Sequence, residues 1–213
     1  MRKSAVYRLA IDAMMASLYF VFAFLVSIRI GPNVNITPAS LAIILVAVMY
    51  SPADALLVAI VGEMINQIAR YGLTPTTALW LVPVILRALI ISVVAHIFRR
   101  NDKYLEENIP AYLVTLAIAA IVTTVANTYV IYIDAQLFHY PDGLTLVQTI
   151  LRLISGIITS SVMAFISIPL IKAVSKLNIG RTLTKSEIEE QKRMKEEALK
   201  EEEEDLTNES ETK

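Results

Sequence analysis

The chain has 213 residues, no Cys and one Trp, and it is 55% hydrophobic but only 18% charged, with a mean hydropathy of +0.57. Twelve of its 20 acidic residues fall in residues 182–213, which leaves Met1–Arg181 with 8 acidic and 13 basic residues. An apolar, slightly basic body followed by a solvated acidic tail excludes an ordinary soluble enzyme, a nucleic-acid binder and a disulfide scaffold. The lack of Cys excludes thiolate metal sites and catalytic thiols.

Ala5–Ile30 is the first apolar run. It is too long for a signal-peptide core and no small-residue cleavage site follows, so it reads as a retained transmembrane helix. A polar loop, Gly31–Ile36, leads to Thr37-Pro38, an N-cap with Pro at the first helical position. Helix 2, Pro38–Tyr50, is short for a bilayer. Either the loop before it dips into the membrane or the helix sits behind its neighbours. Ser51-Pro52-Ala53-Asp54 is a second N-cap, with a carboxylate in the first turn where the helix dipole favours it. It opens helix 3, Pro52–Tyr71. Gly72–Thr76 breaks the chain, and helix 4 is Thr77–Phe98. A charged loop leads to helix 5, Pro110–Asp134, and a polar loop holding His139 and Asp142 leads to helix 6, Leu144–Ser175. The tail, rich in charge and poor in apolar positions, is expected to be disordered or a frayed helix.

The basic residues alternate with loop parity. Arg2, Lys3 and Arg8 lie at the start, Arg99, Arg100 and Lys103 in the 4–5 loop, and Lys172, Lys176, Arg181 and Lys185 at the end. The 1–2 and 3–4 loops have only Arg29 and Arg70, and the 5–6 loop has none. The positive-inside rule then places both termini in the cytoplasm.

Charge at mid-membrane costs roughly 2.5–3.5 kcal/mol on insertion scales, so intramembrane polar residues are paired or functional. Helix 3 places Glu63, Asn66, Gln67 and Arg70 at i, i+3, i+4 and i+7, one face of a helix. Helix 6 aligns Gln148, Arg152, Ser155 and Thr159 in the same way. Trp80 and Arg87 lie seven apart on helix 4, and Asn127 and Asp134 seven apart on helix 5. Glu63 and Arg87 both fall near mid-membrane and could pair. Arg29, Arg70 and Asp134 fall at the outer rim, where each alone could simply snorkel. Tyr71 and Trp80 are either interface anchors or a wall for a flat ligand. Together the stripes point to a cavity open to the outside. If Glu63 neutralises Arg87, Arg152 and Arg70 remain to hold an anionic group on a substrate. Ala10, Ala13, Ala16 and Ser17 form a small-residue stretch near the inner end of helix 1, suited to close helix contact within the protein or with a partner.

Several chemistries are missing. No phosphate-cradling loop, HExxH or GxSxG is present, and the two His residues have no metal-ligand spacing. The inner halves of helices 4–6 are nearly all apolar, unlike a channel, and no internal repeat supports a secondary transporter. A one-sided capture protein, with its energy source elsewhere, is the reading that remains; it requires no catalytic residue, cofactor or metal.

The sequence resembles the substrate-binding S components of energy-coupling factor (ECF) vitamin transporters over roughly residues 5–176, and within them the folate-like group. The resemblance rests on Ser27-Ile28-Arg29-Ile30, Asn35-Ile36-Thr37, the Pro52–Asn66 segment around Gly62-Glu63, and Leu73–Leu79 with Arg87. It differs where the folate-like pattern has Lys at the position of Asn35, Asp at that of Glu63 and a Gly-rich turn near Tyr71–Pro75. The resemblance implies an all-α membrane protein with six transmembrane helices, both termini cytoplasmic and an outward-facing pocket. The expected domains are a membrane domain, 1–181, and an acidic cytoplasmic tail, 182–213. Substrate contacts are expected from Arg29, Asn35, Glu63, Asn66, Gln67, Arg70, Tyr71, Trp80, Arg87, Asn127 and Arg152. The family's small-residue motif maps to Ala13 and Ser17, with Ala10 beside them, and docks a transmembrane coupling subunit driven by two cytoplasmic ATPases. The implied setting is a bacterial plasma membrane. Folate is the first expectation for the substrate. Pantothenate, riboflavin or a queuosine precursor, a stand-alone transporter, and a non-transporting scaffold or sensor stay open as alternatives. The topology is testable by thiol labelling. Cys introduced at Asp142 should react with an impermeant reagent added to intact cells while Cys at Asn101 stays protected, and the reverse pattern would sink the inside-ends arrangement.

Overall fold

The computed structural model describes residues 5–29, 35–139, 142–176, 182–194 and 197, and the side chains of Arg29, Asn35, Gln148 and Arg152 lie outside that description. The expected disorder of the far tail also lies outside the described residues. Among the described residues up to Lys176, six α-helices follow one another: α1 Ala5–Phe24, α2 Ser40–Met49, α3 Pro52–Tyr71, α4 Thr77–Arg100, α5 Ile109–Phe138 and α6 Asp142–Lys176. All but α2 are long and apolar enough to cross a membrane. The protein is thus an all-α membrane protein, with helices close to those read from the sequence.

The largest departure is at the end of α1. The helix stops at Phe24, not Ile30, and Ile28–Arg29 pairs antiparallel with Asn35–Ile36. The stop has a physical cause. The Arg70 guanidinium of α3 donates to the Ala23 carbonyl and to Ser27 Oγ (2.6 Å), and lies 5.6 Å from the Phe24 ring centroid. A cation at a helix C-terminus satisfies carbonyls that lack an intrahelical donor. Helix α5 runs four residues beyond its expected end at Asp134.

Helix α2 is ten residues of Ser40-Leu-Ala-Ile-Ile-Leu-Val-Ala-Val-Met49, all buried. A helix apolar on every side is stable only when enclosed, and α1, α3, α4 and α6 surround it. Of the two alternatives for its length, this structure has the helix behind its neighbours. At about 1.5 Å per residue it is about 15 Å long, roughly half of a hydrocarbon core of about 30 Å. Its C-terminal carbonyls are closed from elsewhere in the chain. Buried Arg99 donates through Nη1 to Val48 O (3.1 Å) and through Nη2 to Tyr50 O (2.7 Å), and Thr182 N donates to Met49 O (2.9 Å). Arg99 therefore does more than mark a basic loop.

At the same end, Ser51 and Asp54 form the capping box expected at the start of α3. Arg8 of α1 joins it through an ion pair with Asp54 (2.5 Å). Beyond α6, residues 185–194 form a short helix whose start is held by the body. Ser186 N donates to Asp102 Oδ1 (2.6 Å), and Tyr104 OH donates to Glu187 Oε2 (2.6 Å). The first residues of the expected tail, Thr182–Glu187, are thus bonded to the membrane domain. Arg99→Met should expose the need for the α2 cap. Hydrogen bonds from a charged donor contribute about 1.5–3 kcal/mol, so the variant should be about 2 kcal/mol less stable in detergent unfolding, with helix content kept; unchanged stability would show the cap to be dispensable.

Candidate functional site

Where α2 stops short, a cavity of about 450 Å³ opens. Thr37 and Ser40 at the start of α2 reach it, together with the C-terminal halves of α1, α3 and α5 and the N-terminal halves of α4 and α6. All of these ends lie away from the Arg99–Lys103 loop, the start of α1 and the end of α6. A pocket of a few hundred Å³ is the usual size for a small-molecule site.

One wall is the polar face of α3. Glu63 is 6% exposed and accepts three hydrogen bonds: from Tyr19 OH (2.5 Å), Asn66 Nδ2 (3.1 Å) and Gln67 Nε2 (2.5 Å). The i+3 and i+4 amides reach it because they share its helix face. Tyr19 reaches it across the helix pair because residue 62 is glycine. A Cβ on Gly62 would stand 2.7 Å from Tyr19 Cδ1, inside the ring's van der Waals surface. Asn66 Oδ1 in turn accepts from Arg70 Nε (3.0 Å), so the stripe runs unbroken from Glu63 to the end of α1. At the rim, Gly72 with φ +72° turns the chain out of α3. Thr74 N donates to Thr77 Oγ1 (2.9 Å) and braces the loop into α4.

The opposite wall comes from α4, α5 and α6. Trp80 and Arg87 line it from α4, Asn127 and Asp134 from α5, and Ser155 and Thr159 from α6. Arg87 Nε lies 3.4 Å from Thr123 Oγ1, whose own hydrogen goes to Ala119 O (2.6 Å). Tyr71, Trp80 and Phe138 add aromatic surface.

Eight of the expected contact residues line this one cavity: Glu63, Asn66, Gln67, Arg70, Tyr71, Trp80, Arg87 and Asn127. The expectations for Arg29, Asn35 and Arg152 fall on side chains outside the described residues. Three expectations change. Among the described residues, no ion pair within 4.0 Å joins Glu63 to Arg87, because neutral donors already occupy the Glu63 oxygens. Arg70 is largely committed: Nε and Nη2 donate to Asn66 and to the end of α1, and the buried Nη1 alone has no partner among the described residues. Asp134 is 6% exposed rather than solvated at the rim, because α5 continues a further turn past it.

Sequence reasoning missed Tyr19, Thr37, Ser40, Thr74, Thr76, Thr123, Thr124, Phe138 and Ser160, which also line the cavity. Thr123 lies four residues before Asn127, one turn along the same face of an apolar helix, and that signal was readable. Tyr19 carried none, since its role depends on Gly62 of another helix. Ala10, Ala13 and Ser17 are exposed on α1, whereas Ala16, Tyr19 and Ala23 turn inward. Ser17 Oγ is satisfied locally by Ala13 O (2.8 Å).

No curated protein sequence matches the chain significantly. A solved structure of the S component of a bacterial ECF transporter is similar in fold, with a TM-score of 0.53 at 16% identity, covering 80% of this chain and 99% of its own. The family model described as "ECF-type riboflavin transporter, S component" matches residues 3–176. S components of this kind are not enzymes, and they work with a T component and two ATPases. The folate-like grouping expected from the sequence stretches is not the description this match carries. With its long apolar helices and its match over nearly the whole membrane domain, the chain belongs to the ECF-type riboflavin transporter S component family and is a multi-pass protein of the plasma membrane.

Proposed function

We propose that this chain captures riboflavin from outside the cell and delivers it inward in complex with a transmembrane coupling subunit and two cytoplasmic ATPases. The observation that carries the reading is the chemistry of the cavity wall. Among its described residues two acids, Glu63 and Asp134, balance two arginines, Arg70 and Arg87. Hydroxyls of Thr37, Ser40, Thr74, Thr76, Thr123, Thr124, Ser155, Thr159 and Ser160 surround them, with Tyr71, Trp80 and Phe138 as aromatic surface. A balanced, hydroxyl-rich, aromatic-walled site suits an uncharged flat heterocycle bearing a hydroxylated chain. The riboflavin description of the matching family supports the same choice.

The basic residues support the orientation. Among the described residues Arg8, Arg99, Arg100, Lys103 and Lys172 gather at the end of the bundle opposite the cavity, so the positive-inside rule favours a cavity that faces outward and an inner side at the start of α1 and the end of α6. The exposed strip of Ala10, Ala13 and Ser17 supports the partner: small residues facing outward on a membrane helix allow another helix to approach closely. Folate is the second reading. It keeps the matching stretches noted above, and among the described residues its carboxylates would fall to Arg87 and the unpartnered Nη1 of Arg70.

Equilibrium dialysis of purified protein against riboflavin, folate and pantothenate decides among the substrates. Riboflavin should bind saturably and quench Trp80, the only tryptophan, and the other two should not displace it. Saturable folate binding with no riboflavin binding would overturn the choice of substrate. In cells, Ala13→Trp should abolish uptake while dialysis shows riboflavin affinity within a few-fold of wild type; loss of both would place that face in internal packing.

A further inference from the structure

We infer that Arg87 sets the orientation of the bound ligand: the acceptor-bearing edge of a flat ring enters first and is held by the Arg87 guanidinium, while the hydroxylated chain stays toward the mouth. This deepens the riboflavin reading and rests on it. Three observations on this side chain carry the inference.

The first is depth. Arg87 lies ten residues into α4 from Thr77, about 15 Å along the helix at about 1.5 Å per residue. It also borders a second, much smaller void of about 20 Å³, where the lining turns to Ile44, Ile91, Leu116 and Met163. Arg87 is therefore at the floor, between a polar cavity and the apolar core.

The second is its open valence. Among the described residues its only hydrogen-bond contact is the long one from Nε to Thr123, and Nη1 and Nη2 have no partner. Half-buried and open to the cavity, the guanidinium can donate to acceptors that a ligand brings. The nearby carboxylate of Glu63 is already taken by three donors. Two parallel N–H groups fit two adjacent acceptors in one plane, such as a carbonyl and a ring nitrogen.

The third is alignment. Trp80 is seven residues from Arg87 on the same face of α4, about 10 Å nearer the mouth. A fused ring system lying along α4 meets Trp80 with its face and Arg87 with its inner edge. A chain of hydroxyls then falls among the rim hydroxyls of Thr74 and Thr76.

The test compares riboflavin with lumiflavin, which keeps the isoalloxazine ring and has a methyl group in place of the chain, by dialysis on the full-length protein. Arg87→Gln should weaken both by the same factor, tenfold or more. Arg87→Lys, which keeps the charge but not the fork, should weaken both by less. If Arg87→Gln fails to give a monodisperse protein, Arg87→Lys and Thr123→Val carry the comparison, each expected to cost both probes equally. Unchanged affinities would overturn the role of Arg87. Loss of riboflavin affinity with lumiflavin unaffected, or riboflavin binding with no lumiflavin binding to wild type, would mean that the chain enters first and would overturn the orientation. Wild-type protein that binds neither flavin would overturn the riboflavin reading itself, a different result from either.

Discussion

A helix of ten residues cannot cross a bilayer, and the architecture follows from how α2 is accommodated. It is apolar on all sides and enclosed by α1, α3, α4 and α6, so it fills only about half the depth of the bundle. The other half stays open, and the surrounding helices turn their polar stripes into it. The cavity is therefore a consequence of a short central element rather than of a groove between two domains. Ser40, at the start of α2, lines it, and the α2 side chains beyond Ser40 belong to the buried core.

Within lipid every polar group must find its partner inside the protein. The α3 stripe meets this requirement by relay. Glu63 is satisfied by Tyr19, Asn66 and Gln67, Asn66 also accepts from Arg70, and Arg70 ends in the carbonyls of α1. The relay fixes the α1–α3 pair at the distance that Gly62 permits. It also separates the two half-buried arginines of the cavity by role. Arg70 is a cap for a helix end, and Arg87 is left facing the cavity.

Most of the helices were legible because apolar runs interrupted by Pro, Gly and Ser-Pro signals are read without tertiary information: α3 starts and ends where Ser51-Pro52 and Gly72 place it. The stripe on α3 was legible for the same reason, since i, i+3, i+4 and i+7 share a face in any helix. What could not be read was which donor meets which acceptor. Glu63 and Arg87 sit at similar depth and carry opposite charge, yet the carboxylate is closed by Tyr19 and by its own helix. The end of α1 was misplaced because it is set by Arg70, more than forty residues later in the chain. The Thr and Ser residues of the cavity were missed because hydroxyls in apolar helices commonly bond back to the preceding turn, as Thr123 and Thr124 do, and give no outward sign of a second role.

The closure of α2 has a consequence for the order in which the molecule can be completed. The donors that cover its last carbonyls come from Arg99, at the end of α4, and Thr182, after the end of α6. During synthesis α2 emerges early, yet the Val48 carbonyl gains its donor only with Arg99, and the Met49 carbonyl waits for Thr182, beyond α6. Until then this segment is a nascent piece of backbone too short to span and not yet satisfied within lipid. The central element of the bundle is thus finished only after α6 has been made, and Thr182 serves as its closing stitch.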